Sequence, residues 1–131
     1  MRKPDFNLDG WCLDDGEARH AHAPTTFWVP DRDRRERLQP GDFAKLIFRI
    51  SVDNPEEPVA VESMWVIVRE RISGGYLGLL DNEPDSIEEN NAFWVGTELP
   101  FGPEHIINIM DRDAASISLA AAEPRTRWPQ W

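Results

Sequence analysis

The chain has 131 residues, with 24 acidic side chains against 14 basic ones and a formal net charge of -10. That length accommodates one hydrophobic core and not two, and a composition of 40% hydrophobic and 29% charged residues is that of a folded chain rather than a disordered one. The negative field repels phosphate backbones and anionic lipid surfaces, so nucleic acid and membrane are not expected partners, whereas a basic protein is.

Met1 to Pro24 carries only Phe6, Leu8, Trp11 and Leu13 as sizeable apolar residues and reads as an N-terminal arm with one short strand at Gly10 to Leu13. Thr25-Thr26-Phe27-Trp28-Val29 is β-branched and aromatic, which predicts a short strand stopped by Pro30. The charged run Asp31 to Leu38 predicts one or two helical turns with Asp31 as N-cap, closed by Pro40-Gly41-Asp42. From Phe43 to Val52, Ala44, Leu46, Phe48, Ile50 and Val52 alternate with Lys45, Arg49 and Ser51, the pattern of a half-buried strand.

Asn54-Pro55-Glu56-Glu57-Pro58 breaks that strand. Val59 to Arg71 then has apolar residues on both parities around Met64 to Val68, which predicts a central strand covered on both faces. Ser73-Gly74-Gly75 supplies a tight turn, pairing Met64–Ile72 antiparallel with Tyr76–Leu80. Asp81-Asn82-Glu83-Pro84 is a second turn. Short strands near Glu98–Phe101 and His105–Met110 follow, and Ala114 to Ala122, with Asp113 to cap it and Pro124 to end it, predicts a terminal helix. Trp128 and Trp131 lie in a tail that must either dock or dangle. The expected fold is β-rich α+β: a small, strongly curved antiparallel sheet or partly open SH3-like barrel with a C-terminal helix. We expect residues 1–131 to form a single domain, with an arm at 1–24, a β-rich core at 25–110, and the helix and Trp-containing tail at 111–131.

Chemistry-bearing residues are sparse. Glu17, His20 and His22 are the only metal-like local signal, since a strand would place the i and i+2 histidines on one face, but no Cys or further His lies nearby to complete a tetrahedral set, so no metal is expected. His105 has the chemistry of a general base without any nucleophile motif to serve, and its other role is to hydrogen-bond a turn. Cys12 is flanked by Asp14 and Asp15, which disfavour a thiolate, and as the single cysteine it forms no internal disulfide. The glycines at 74, 75 and 78 belong to a hairpin and match no phosphate-binding pattern. Neither a cofactor nor a catalytic residue is expected. No apolar run approaches the roughly 18 residues of a membrane span and the N-terminus lacks a signal-peptide core, so the expected compartment is the cytoplasm.

The acidic stretch Glu83 to Glu89 runs into Phe93-Trp94-Val95, and aromatics rimmed by carboxylates suit a partner presenting Lys or Arg. Asp85, Glu88, Glu89, Phe93 and Trp94 are therefore the expected partner-binding residues, although Trp94 would serve equally well as core. The alternative is a small-ligand pocket at a barrel mouth lined by Trp65, Tyr76, Trp94 and His105. Self-association through open sheet edges is a further option.

Met64-Trp65-Val66-x-Val68, Gly75-Tyr76-x-Gly78-x-Leu80-Asp81-Asn82-x-Pro84, Gly96-x-x-x-x-Phe101 and His105-Ile106-Ile107-x-Ile109 together resemble a bacterial family catalogued as a domain of unknown function. Phe27-Trp28-Val29-Pro30 and Leu38-x-Pro40-Gly41-Asp42 extend the resemblance to longer members, some similar to immunity proteins of polymorphic toxin systems. It covers roughly Thr25 to Ile109. The resemblance implies a shared fold and a non-enzymatic module that neutralises a basic toxin domain, and it carries no catalytic residues. This chain departs from the pattern in having Glu62-Ser63 before the Met-Trp-Val strand and a long acidic Asp85-to-Gly96 segment, where partner specificity is expected to differ.

Overall fold

The computed structural model describes residues 1–129. Its elements in chain order are α1 (Phe6–Asp9), β1 (Trp11–Leu13), α2 (Gly16–His22), α3 (Arg32–Arg35), β2 (Phe43–Ser51), β3 (Val59–Ile72), β4 (Gly75–Leu80), β5 (Glu98–Phe101), a 3-10 turn (Pro103–His105), β6 (Ile106–Met110) and α4 (Ala114–Ala121). The strands form one antiparallel sheet in the order β1-β2-β3-β4-β5. β6 pairs with the first half of β2, and β1 with its second half. The sheet curls into a half-barrel, with α4 following the last strand, in agreement with the expected fold class.

Strand alternation decides which side chains enter the concave face. On β2 those are Ala44, Leu46, Phe48 and Ile50, and on β3 Met64, Val66 and Val68, all within one core cluster with Tyr76, Leu80, Leu99, Phe101 and Ile106. The β3–β4 hairpin forms where expected. Gly74 alone takes the positive φ of the turn, at 80°, while Gly75 is needed for another reason. A side chain there would collide with the Phe101 carbonyl oxygen, so its smallness lets β5 approach. On α4, Asp113 caps the helix by accepting from the Ser116 N–H at 2.8 Å, and the helix packs on β3 with Ser116 and Ala120 buried.

Two expectations fail locally. Thr25–Val29 is a turn followed by extended chain. The Thr26 and Phe27 N–H groups close onto the Ala23 carbonyl, and the Phe27 carbonyl binds the His20 ring at 2.6 Å, so little backbone is left for a ladder. Its Trp28 is 65% exposed. The short strand expected in the arm forms as β1 and joins the sheet, with Trp11 3% exposed at the centre of an aromatic cluster. Finally, β3 is covered on both faces only around Val66 to Val68; Val59 and Val61, at its start, stand 38% and 51% exposed.

The tail docks. The Arg125 N–H donates to the Gly96 carbonyl and the Glu98 N–H to the Thr126 carbonyl, extending the sheet beyond β5. Trp128 is buried edge-on against Trp11, its Nε1 donating to the Arg2 carbonyl at 3.2 Å with the Arg2 guanidinium over its ring. Arg2 and Trp128, from the two terminal segments, thus meet on the same side of the half-barrel. Trp131 lies outside the described residues.

Candidate functional site

The expected partner-binding residues all sit in the segment joining β4 to β5, and the structure divides them. Asp81 and Asn82 continue the sheet for one step: the Asp81 N–H donates to the Trp65 carbonyl at 3.0 Å, and the Asn82 side-chain oxygen accepts from the Trp65 N–H at 2.7 Å. Asn82 is a turn-former through its side chain, which replaces a backbone carbonyl. Asp81 is part-buried beside this turn, and burial raises its carboxyl above the ordinary value.

Glu62, on β3, anchors the next residues. Its carboxylate accepts from the Asp85 N–H at 2.8 Å, the Ser86 N–H at 3.1 Å and the Ser86 hydroxyl. These bonds fix the loop so that Asp85 and Glu88 face solvent. Glu89 is exposed as well, with Arg125 at 2.9 Å. Phe93 goes the other way. It is 4% exposed and stacks on Trp11 at 4.6 Å and against Phe48 at 5.6 Å, so it is a core residue and not a partner anchor. The Asn90 side chain makes that inward turn by accepting from the Ala92 and Phe93 N–H groups. Trp94 is half-buried, its N–H bound to the Thr97 hydroxyl.

The alternative pocket does not form. Tyr76 is buried in the core, its hydroxyl donating to the Arg35 carbonyl at 2.6 Å and accepting from the Leu38 N–H at 3.2 Å. Trp65, between the inward residues Met64 and Val66, lies on the opposite face against Phe43 and under the Lys45 ammonium. His105 faces a cavity of about 100 Å³ lined by Met1 to Pro4, the hairpin tip and Phe101, and including none of the other three residues. The four are dispersed.

His105 holds a turn, as its second reading expected. Its Nδ1 accepts from the Gly102 N–H at 2.9 Å, and Glu104 Oε1 lies 3.4 Å from the same nitrogen. One nitrogen cannot accept the amide proton and also carry one for Glu104. Burial, the largest influence on the ring, lowers its pKa against the opposing pull of Glu104 and Asp15, which favours the neutral ring that the amide bond requires. Glu17, His20 and His22 stand on α2 rather than a strand, which puts the two histidines about 200° apart around the helix. Glu17 meets Arg35 at 2.6 Å instead, and His20 binds Phe27. Among the described residues no group of His, Cys, Asp and Glu is arranged to hold a metal ion. Burial, then Asp14, raises the Cys12 thiol above its usual pKa, leaving it a poor nucleophile.

What the sequence reading missed is the partner of the acidic loop. Ser86, Ile87 and Glu88 form one wall of a groove of about 680 Å³, and Asp53, Asn54 and Glu57 of the β2–β3 turn form the other, with Val52, Val59 and Ala60 between. Asp53, Glu57 and Glu88 are exposed there, and Glu56 and Asp85 stand beside them. The sequence holds no Lys or Arg between Arg49 and Arg69, nor between Arg71 and Arg112, so neither wall carries a cation of its own. That double gap was the available signal. Two other clusters are structural: Arg35, buried, joins Glu17 to the Pro30 and Pro103 carbonyls, and Glu98, buried, holds Arg69 and the Trp128 N–H.

Among the described residues no helix is long and apolar enough to cross a membrane. Set against family models, curated proteins and solved structures, the chain matches none.

Proposed function

We propose that the protein is a non-enzymatic binding module that takes a basic protein partner at the acidic groove between the β2–β3 turn and the β4–β5 loop. The single observation that supports this reading is the groove itself: exposed Asp53, Glu57 and Glu88 across an apolar floor, on two loops without a Lys or Arg. Carboxylates held by a fixed loop steer and orient a cation, and the floor gives the partner apolar surface to bury. The resemblance of the Met64-to-Pro84 stretch to a family with immunity-type members fits the same reading, in which the partner is a basic toxin domain and the module acts in the cytoplasm by covering it. Asp85 and Glu88 keep the partner-facing role given them by the sequence, Glu89 flanks it, and Asp53 and Glu57 join them.

The test is capture by the tagged chain and by its Glu57→Lys/Glu88→Lys variant from a lysate of the organism that makes it, at low and high salt. The expected result is a basic protein retained by the wild type, released by salt and absent from the variant. Equal retention by both proteins contradicts the assignment of the groove.

A further inference from the structure

β3 is 14 residues long, but β4 pairs with it only from Val66 to Ile72, and the chain leaves the sheet after the Asp81–Asn82 step at Trp65. On its other side β3 pairs with β2 all the way from Val59 to Ile67. In an antiparallel ladder, successive residues direct their N–H and C=O groups to alternate sides. The Val68 and Pro58 bonds to the β2 side, and the Trp65 bonds to the β4 side, fix which residues point which way. Even-numbered positions serve β2. Those of Val59, Val61 and Ser63 point to the side that β4 has vacated, and among the described residues no strand or hydrogen bond takes them up.

Val59, Val61 and Ser63 also present exposed side chains on one face of this unpaired edge. Natural sheets shield such an edge with lysines, a proline or a bulge, and two exposed valines do the opposite. The edge begins at the acidic groove, whose lining includes Val59 and Ala60.

Resting on the basic-partner reading above, we propose that Val59–Ser63 is a strand-addition site: the partner docks an extended, Lys- or Arg-bearing segment onto this edge as an added strand. The partner's backbone takes the free N–H and C=O groups, its apolar side chains lie beside Val59 and Val61, and its cations reach Glu57, Asp85 and Glu88. A second copy of this chain is the disfavoured occupant. Pairing two such edges about a two-fold axis would bring both sets of carboxylates together, and like charges oppose that.

The probe is a capped heptapeptide of alternating Lys and Val, with an Asp-Val heptapeptide as control. On the wild-type protein, binding of the Lys-Val peptide should slow amide exchange at Val59, Val61 and Ser63 while leaving Ala60 and Glu62, already bonded to β2, unchanged. Val61→Pro removes an edge N–H that no native bond uses and should weaken binding about tenfold, whereas Val61→Thr, which keeps the N–H, should not. Salt-sensitive binding of the Lys-Val peptide without protection of those three amides would overturn strand addition while leaving the acidic groove as the site. Equal binding of the Asp-Val peptide would overturn the basic-partner reading itself. Doubling of the protein's mass in solution, with the three amides protected in the absence of peptide, would make a second copy the occupant and overturn the proposal.

Discussion

The two halves of the β4–β5 connection are nearly adjacent in sequence and opposite in role. Asp85 and Ser86 are anchored by Glu62 and the carboxylates of Asp85, Glu88 and Glu89 face solvent, while Phe93 turns inward and completes a cluster with Trp11, Phe48 and Trp128. In the linear sequence the two halves read as a single patch, aromatics rimmed by carboxylates. The difference teaches that such a patch needs both residue types on one surface, and backbone anchors such as Glu62 and Asn90 decide whether they share it.

The comparison breaks most visibly at Phe93. Phe93→Ala should lose about 3–5 kcal/mol of stability, the usual cost of deleting a buried aromatic, read as a lower denaturant midpoint. Glu98→Ala should cost nearly as much, about 3 kcal/mol, because Arg69 would be left part-buried without its carboxylate and the tail would lose its anchor at Trp128. Calorimetry would read it. Glu62→Ala should cost about 1–3 kcal/mol and speed amide exchange at Asp85 and Ser86, loosening the outward half while sparing Phe93.

His105 gives a smaller, pH-dependent effect. Its pKa is lowered in the folded state, so the unfolded chain binds the proton more readily. Stability should be full above the ordinary value of 6.5 and decline as pH falls through it, and His105→Asn should flatten that decline between pH of about 7 and 5. Least of all, Glu57→Lys and Glu88→Lys should leave the unfolding midpoint where it is, because neither side chain makes a contact that folding needs.

Features set by local chemistry were legible in the sequence. The alternation of Ala44, Leu46, Phe48 and Ile50, the Gly74 turn and the Asp113 cap each depend on a few neighbours, and each formed. Phe93 was not legible, because its environment is assembled from Trp11 and Trp128, at the two ends of the chain. The placement of the histidines was not legible for a different reason: Glu17-Ala-Arg-His-Ala-His suits a strand and a helix alike, and the Asp15 cap bonded to the Ala18 N–H selects the helix. The density of charge at Asp85, Glu88 and Glu89 was legible, but the opposing groove wall at Asp53 and Glu57 lay in a segment that reads only as a break.

The most direct measurement is the affinity of the capped Lys-Val heptapeptide for the wild type and for Glu57→Lys/Glu88→Lys, by fluorescence anisotropy over a range of salt. If the groove carries recognition, the wild type binds more tightly at low salt and the two curves converge as salt screens the carboxylates. Superimposable curves at every salt concentration would contradict the account.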